Sequence, residues 1–277
     1  MSETQIGLND AAGAPRSVKF SWVSTNVVAF FTLLLKEVRR ILRIWVQTII
    51  PPAITMTLYF VIFGSLIGRR IGEIDGIPYM TFIAPGLIMM AVITNSFGNV
   101  VSSFFSGKLQ QHLEELLVAP ISTFTIVLGY MLGGVFRGIL VAALVTGVAL
   151  VFTDINVEHP FITFAVIILT AMVFSLAGLL NALLAKNFDD ITIIPTFVLT
   201  PLTYLGGVFF SVSLLSGFWQ TVALANPILY MVNAFRYGML GSSDVSITTA
   251  FTIIIVAFVG MFTLVITMLN KGIGTRV

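Results

Sequence analysis

The sequence predicts an all-α polytopic membrane protein with six transmembrane helices, and three observations favour this fold class. Hydrophobic residues make up 57% of the chain and charged residues only 9%, whereas a soluble domain carries about 25% charged residues. The mean hydropathy is +1.04. The apolar residues also fall into several runs that reach the roughly 20 residues a helix needs to cross a bilayer.

The chain opens with a polar segment, residues 1–24, which is rich in small residues and is expected to form a mobile cytoplasmic tail. It has no apolar core of the kind that marks a secretory signal. Residues 25–43 then follow the pattern of an amphipathic helix. We expect its basic side to face anionic lipids, although a plain positively charged flank of the first span is the simpler alternative. The basic residues on that side are Lys36, Arg39, Arg40 and Arg43.

Six apolar runs are predicted to span the membrane, with approximate bounds 44–68, 79–105, 121–152, 161–184, 191–210 and 247–269. Pro51 and Pro52 should kink the first span, which neighbouring helices can tolerate. The third span is longer than a bilayer requires, so it should tilt or project from the membrane. Residues 211–246 are too polar for a clean span, and we expect two short segments that dip into the membrane edge.

Polar residues in the second and fifth predicted spans are candidates for lining a transport pathway. Ordinary hydrogen bonding between helices is the simpler interpretation of the same residues. They are Asn95, Asn99, Ser102, Ser103, Thr196, Thr200, Thr203 and Tyr204.

Four glycines in the third predicted span, Gly129, Gly133, Gly134 and Gly138, form two overlapping small-xxx-small patterns that permit close helix contact. Arg137 lies among them. An arginine inside a membrane costs at least about 2.5–3.5 kcal/mol, so Arg137 should be paired, hydrated or near an interface. We favour structural pairing over substrate contact, and we also expect Arg236 to have a structural role.

Residues 106–120 form a polar interruption between the second and third predicted spans. Leucines recur at helical spacing, polar residues occupy the other faces, and a proline ends the segment. This pattern predicts a short amphipathic helix at a membrane surface, which is either an ordinary interfacial helix or a surface held by a soluble partner. The candidate residues are Lys108, Leu109, His112, Leu113, Glu114, Glu115, Leu116, Leu117 and Pro120.

Lysine and arginine residues are concentrated on one side of the predicted topology, which the positive-inside rule makes the cytoplasmic side. Both termini and the 106–120 segment are therefore predicted to be cytoplasmic. The residues on that side are Arg16, Lys19, Lys36, Arg39, Arg40, Arg43, Lys108, Lys186, Lys271 and Arg276.

Several kinds of chemistry are absent from the sequence. There is no cysteine and no phosphate-binding G-x-x-x-x-G-K-[ST] motif. His112 and His159 are predicted on opposite membrane faces, which excludes a shared metal site, and a net charge of +2 gives no reason to expect nucleic-acid binding. Apart from Arg137, the predicted spans contain no charged residue of the kind that ion-coupled carriers use. If the protein pumps a solute, the energy must come from a partner.

Two blocks of the sequence resemble a known family. EELLVAPIS (114–122), between the second span and a long third one, resembles the signature of membrane subunits of type-2 ATP-binding cassette transporters. NPILYMVNAFRYGMLG (226–241) resembles the block that precedes the last span in that family. The resemblance extends from about Phe30 to the C-terminus, and it is closest to short inner-membrane permeases of Gram-negative bacteria.

This resemblance implies a homodimer of six-span subunits in the bacterial inner membrane, each docked to one of two cytoplasmic ATPase subunits. The partner would use ATP and Mg, and this chain would bind no cofactor. Related members export drugs, lipid-linked oligosaccharides or polysaccharides, so an amphiphilic, lipid-like, glycan or drug substrate is expected. No ATPase segment and no long outer domain for a periplasmic adaptor occurs in this sequence. A secondary carrier or channel and a non-transporting scaffold are the alternative functions.

The resemblance also implies roles for particular segments. Residues 25–43 would be the connecting helix, residues 106–120 the coupling helix, and residues 211–246 the short outer helices that cap the exit path. Glu114 and Glu115 would contact the ATPase or the connecting helix. The turn that follows would be fixed by Leu116, Leu117 and Pro120.

Overall fold

The computed structural model of the chain describes residues 22–275. Most of the predicted mobile tail therefore lies outside the described residues, and so do Arg16, Lys19 and Arg276. The last three residues of that predicted tail, Trp22 to Ser24, instead form the first turn of a helix. The amphipathic helix thus begins three residues earlier than the sequence pattern indicated.

Helices dominate the described part of the chain. Two of the helices named below extend beyond the bounds given for them. After Tyr59, α2 continues as a π-helix, Phe60–Ile67, and then as a last turn, Gly68–Ile71. After Ile194, α7 continues as a π-helix, Pro195–Leu199, and then as an α-helical segment, Thr200–Tyr204. The helices are α1 (Trp22–Arg43), α2 (Trp45–Tyr59), α3 (Tyr79–Leu109), α4 (His112–Val118), α5 (Thr123–Phe152), α6 (Pro160–Leu184), α7 (Asp190–Ile194), α8 (Phe218–Leu224), α9 (Pro227–Leu240) and α10 (Ile247–Asn270).

Strands form one small hairpin among the described residues. The two-residue strands β1 (Glu73–Ile74) and β2 (Ile77–Pro78) pair antiparallel between α2 and α3. Asp75 and Gly76 both adopt positive φ at the turn, as a two-residue hairpin requires. The hairpin thus reverses the chain over a few residues at the end of the bundle where α3 begins.

Several helices begin at residues that satisfy their free backbone N–H groups. The side chains of Ser122, Asn226 and Ser246 accept hydrogen bonds from the first turns of α5, α9 and α10. Pro160 opens α6, where its missing N–H costs nothing because that group would be unpaired in any case. These local signals set the helix boundaries around the long apolar runs.

Among the described residues, five helices are long and apolar enough to cross a membrane. This confirms a polytopic, predominantly helical membrane protein. The predicted span at 191–210 is not one of the five, because its helical part, from Asp190 to Tyr204, is too short. Such a helix measures about 22 Å, whereas the hydrocarbon layer is about 30 Å thick. The count of six spans remains a prediction.

The helix at the centre of the bundle is α3. In its most apolar window 78% of the residues are buried, compared with 17% in α2 and 22% in α10. The helices α5 and α6 pack on α3 and on each other, while α2 and α10 lie at the periphery. The peripheral helices therefore leave broad apolar faces for lipid or another chain.

The glycines of α5 make the close helix contacts that their spacing predicted. A Cβ atom at Gly129 would lie 2.8 Å from the Cβ of Leu33, and one at Gly133 would lie 2.7 Å from the Cβ of Glu37. Both neighbours belong to α1. Gly134 and Gly138 lie on another face and pack against α3 and α6. Small residues thus let three different helices approach α5.

Candidate functional site

The polar segment 106–120 is divided in the structure. Residues 106–109 are the last turn of α3, and Gln111 then adopts a left-handed conformation with φ of 60° that ends the helix. The separate helix α4 starts at His112. The prediction of one amphipathic helix is therefore wrong for residues 106–109, which include Lys108 and Leu109, because the helix of the second span continues four residues beyond its predicted end.

Lys108 has a structural contact instead of an exposed one. Its Nζ atom donates hydrogen bonds to the carbonyl oxygens of Leu183, at 3.1 Å, and Ala185, at 2.7 Å. These carbonyls end α6, where the partial negative charge of the helix dipole favours a cation. Lys108 is buried, so it does not face a soluble partner. Its contact joins the end of α3 to the end of α6.

The helix α4 presents an open surface. Leu113 is buried and anchors the helix in the core, and Leu116 is half-buried. The side chains of Glu114, Glu115 and Leu117 are exposed, and Val118 is 87% exposed. Val118 was not among the predicted site residues, although it follows directly after two of the leucines. His112 and Pro120 are also exposed.

An apolar cleft of about 420 Å³ separates α4 from α1. Its walls include Val28 and Leu33 of α1, Leu116 of α4, and Ile121 in the segment that follows α4. The predicted connecting and coupling helices thus face each other across the cleft. The structure gives Glu114 and Glu115 no ion pair with α1 among the described residues.

The four basic residues of α1 do not share one surface. Arg39 and Arg43 are exposed, and Lys36 lies 5.9 Å from the centre of the Tyr130 ring. Arg40 points into the bundle and forms an ion pair of 3.1 Å with Glu37. The prediction that all four face lipid is therefore wrong for Arg40.

Glu37 is the residue that the sequence reasoning missed. It is 1% exposed, and both of its carboxylate oxygens are bound: Oε1 accepts from Ser103 and Oε2 accepts from Arg40. A signal was available, because Glu37 lies four residues from both Leu33 and Ile41, which line the buried face of α1. Its position predicts that it faces the core.

Two predicted pathway residues bind α1 instead of lining an open space. Arg40 donates hydrogen bonds to the side-chain oxygen of Asn99, at 2.7 Å, and to its carbonyl oxygen, at 3.1 Å. Ser103 donates to Glu37. Residues Glu37, Arg40, Asn99 and Ser103 form what we call the inner network, which ties α1 to α3. For Asn99 and Ser103, the simpler interpretation of helix–helix hydrogen bonding agrees with the structure.

Other predicted pathway residues lie in an open groove between α3 and the helix that begins with α7. The groove has a volume of about 320 Å³, and Ser102, Thr196 and Thr200 line it together with Thr94 and Thr192. Asn95 and Thr203 do not line it, and each donates to a carbonyl of its own helix. We call this the threonine groove.

Tyr204 belongs to an aromatic cluster at the end of the same helix. Its hydroxyl lies 2.9 Å from that of Tyr59 on α2. Phe209 packs against both tyrosines and stacks on Phe63, with ring centres 4.5 Å apart. Tyr204 is 40% exposed, so the cluster has an open side. This arrangement presents aromatic faces and two hydroxyl groups beside the threonine groove.

Arg236 holds together the segment before α10. It is buried, donates to the carbonyl of Gly207 at 2.6 Å, forms an ion pair of 3.9 Å with Asp244 and lies over the ring of Phe82. Burial lowers the pKa of the guanidinium to about 10, and the carboxylates of Asp244 and Asp75 oppose this shift. Arg236 therefore remains charged at neutral pH and links α9 to the loop that contains Gly207 and to the loop before α10.

Arg137 differs from Arg236. No ion pair in the described part of the chain includes Arg137, and its Nε atom is buried without a hydrogen-bond partner. The expected structural pairing of Arg137 is therefore not found among residues 22–275.

Comparisons with known proteins place these features in a family. The model of the ABC-2 type transporter family matches residues 28–240. The inner membrane transport permease YadH of Escherichia coli K12 is 53% identical over 249 residues, which cover 90% of this chain and 97% of the relative. Nodulation protein J of Rhizobium meliloti is 27% identical over 189 residues, covering 67% of this chain and 71% of the relative. The chain belongs to the ABC-2 type transporter family.

Proposed function

We propose that this chain is the permease subunit of an ATP-driven exporter, coupled through α4 to a separate cytoplasmic ATPase. The observation that carries the proposal is the open surface of α4, where Glu114, Glu115, Leu117 and Val118 are all exposed. An acidic and apolar surface on a helix this short, joined to two long apolar helices, is suited to binding a soluble partner.

The position of α4 provides a route from the partner to the spans. Two residues separate α4 from α3, and four separate it from α5. A partner that displaces α4 must therefore move the ends of α3 and α5. Movement of α1 can reach α3 by a second route, through the inner network, because Arg40 and Glu37 bind Asn99 and Ser103. ATP binding would change the contacts that the partner makes with α4, and this difference would favour one arrangement of the spans over the other.

Two copies of this chain and two ATPase subunits would form the transporter, with six spans in each permease and both termini in the cytoplasm of a bacterial cell. The excess of lysine and arginine at the α4 side supports this orientation. The exposed apolar faces of α2 and α10 leave room for the second copy and for membrane lipids. ATP and Mg would be bound by the partner and not by this chain.

The threonine groove and the aromatic cluster are the proposed pathway. Threonine hydroxyl groups and aromatic rings together suit a substrate with both polar and apolar parts, such as a glycolipid, an amphiphilic drug or another lipid-like molecule. Residues 211–246, with α8 and α9 as short re-entrant helices, would cover the outer end. The likeness to an inner membrane transport permease supports transport without specifying its direction or substrate.

The test is co-purification with the ATPase subunit encoded nearest to this chain, followed by ATPase and transport measurements in proteoliposomes. The variant Glu114→Arg with Glu115→Arg should retain membrane insertion but lose most of the coupled ATPase activity, because it replaces two exposed acids with bases at the docking surface. Asp189→Arg is the matched control, since Asp189 is an exposed acid in the loop before α7. It should leave the activity unchanged.

Three results would reject the proposal. Full coupled activity in the doubly substituted variant would show that α4 is not the docking surface. Uphill transport by the purified chain without ATP would identify a secondary carrier, and downhill flux alone would identify a channel. A chain that binds partners but moves no solute under any condition would be a scaffold.

A further inference from the structure

Three buried hydrogen-bond donors near the inner network have no acceptor among residues 22–275. They are the Nε atoms of Arg40 and Arg137 and the Nδ2 atom of Asn99. A buried donor without an acceptor loses its hydrogen bonds to water without a replacement, and the loss is larger when the donor is charged. Native structures therefore rarely leave such groups unpaired. Three of them that share one region indicate a missing acceptor.

The packing of α1 on α5 places the two arginines at the same level. Leu33 packs on Gly129 and Glu37 packs on Gly133, so the two helices run in the same direction with a matched step of four residues. One further step from Gly133 reaches Arg137, which lies on the same face of α5. One turn beyond Glu37 on α1 is Arg40.

The charges in this region do not balance. Two guanidinium groups share one carboxylate, that of Glu37, whose two oxygens already accept from Arg40 and Ser103. No carboxylate among residues 22–275 forms an ion pair with Arg137. The region thus carries one net positive charge and an excess of donors. An anionic group with several oxygen atoms would correct both.

The depth of the region suits a phospholipid headgroup. Measured along α3 from Tyr79, Asn99 lies at about 30 Å, which equals the thickness of the hydrocarbon layer. Measured along α5 from Phe152, Arg137 lies at about 22 Å, and a long arginine side chain can reach the remaining distance to the interface. Both helices then continue toward α4 with more polar residues. The donors therefore lie where lipid phosphates are found.

We propose that Arg40, Arg137 and Asn99 form a binding site for a phosphate-type oxyanion, and that its source is an anionic phospholipid at the membrane boundary on the α4 side. The fork of an arginine guanidinium matches the geometry of phosphate oxygens, and the amide of Asn99 supplies a third donor. The side chain of Arg40 is 27% exposed, so the site is open at one edge. Such a lipid would join α1 to α5. Lipid binding needs no ATPase, so the site does not rest on the proposed transport function.

Native mass spectrometry of the purified full-length chain tests the site. Phosphatidylglycerol and phosphatidylcholine with identical acyl chains are titrated separately, and their apparent dissociation constants are compared. The wild type should bind phosphatidylglycerol at least about tenfold more tightly, because both lipids carry a phosphate but the choline cation of phosphatidylcholine cancels its charge beside two guanidinium groups. Arg137→Gln should reduce this preference to within about twofold, since it removes one charge and most of its donors.

Arg39→Gln is the matched control, because Arg39 is an exposed arginine one position before Arg40 on α1. It should retain the tenfold preference, which separates a defined site from general attraction to a basic surface. Equal binding of the two lipids by the wild type would overturn the proposal, and so would an unchanged preference in Arg137→Gln. If that variant does not fold, the wild-type comparison decides together with Arg137→Lys, which should keep the charge and weaken the preference severalfold.

A competition with inorganic phosphate distinguishes the two sources of the oxyanion. If millimolar phosphate does not displace phosphatidylglycerol, the lipid is the ligand, as proposed. If phosphate displaces it fully, the donors bind a free anion equally well, and the assignment to a lipid is wrong although the oxyanion site remains.

Discussion

The ion pair between Glu37 and Arg40 should stabilise the attachment of α1 to α3, and a double-mutant cycle can measure its contribution. The two single variants are Glu37→Gln and Arg40→Gln, and the cycle is completed by the double variant. Glutamine keeps the length of the glutamate side chain and one acceptor oxygen but replaces the other oxygen with an NH2 group. The cycle therefore measures the charge interaction together with the hydrogen bond between Glu37 and Arg40. Ser103 can still donate to the amide oxygen that replaces Oε1.

The magnitude follows from the exposure of the two groups. Fully exposed pairs contribute about 0–1 kcal/mol, and breaking a fully buried pair costs about 3–5 kcal/mol. The side chain of Glu37 is almost fully buried, whereas the side chain of Arg40 is 27% exposed and partly hydrated. We therefore expect a coupling energy of about 2 kcal/mol, between these limits.

Unfolding by a denaturing detergent, followed by circular dichroism, gives the four free energies of the cycle. Each single variant should be less stable than the wild type, and the double variant should be less destabilised than the sum of the two singles. A parallel cycle with Glu37 and Arg39 should show no coupling, because Arg39 points to solvent. A coupling energy below about 0.5 kcal/mol for Glu37 and Arg40, within the usual scatter of additive sites, would show that the inner network does not hold α1 in place.

Three further measurements address other parts of the fold. Lys108→Met should lower the free energy of unfolding by about 1–3 kcal/mol, because two buried carbonyls lose their donor; an unchanged value in the detergent assay would refute this. Gly178→Ala should destabilise the protein by about 1–3 kcal/mol, because the new methyl group would meet backbone atoms of Phe97. Gly147→Ala, whose methyl group would meet nothing within 4 Å, should instead stabilise it by up to about 1 kcal/mol. Equal effects of the two variants would contradict the close packing of α6 on α3 at Gly178. In sealed cells, a cysteine at Gln111 should resist an impermeant thiol reagent while one at Asp154 reacts, and the reverse would invert the proposed topology.

The apolar runs predicted the long helices well because a span requires many consecutive apolar residues, and few other structures tolerate them. The end of α3 was harder to predict. Polar residues 106–109 read as the start of a surface helix, but Lys108 finds carbonyl acceptors at the end of α6 that only the folded chain provides. A sequence pattern shows that a residue is polar, but it does not show whether the folded chain provides a buried hydrogen-bond partner for that residue.

The same limit explains the outcomes at α1 and in the predicted pathway. Arg40 resembled its basic neighbours because the sequence does not show that Asn99, on another helix, lies beside it. The polar residues in the second half of the second span lie on two faces of the helix, and helical spacing is enough to assign each residue to its face. Ser102 faces the threonine groove, and Ser103, one position later, faces α1. Helical spacing does not show which of the two faces borders an open groove, because that depends on where α7 packs.

The contact of Lys108 makes the two junctions of α4 unequal. On one side, a single tight turn joins α4 to a helix whose last turn is bonded to the end of α6. On the other side, Ala119 begins a stretch of extended backbone before α5. A force applied to α4 should thus move α3 and α6 together as one unit, whereas the four-residue linker before α5 transmits the same force less directly.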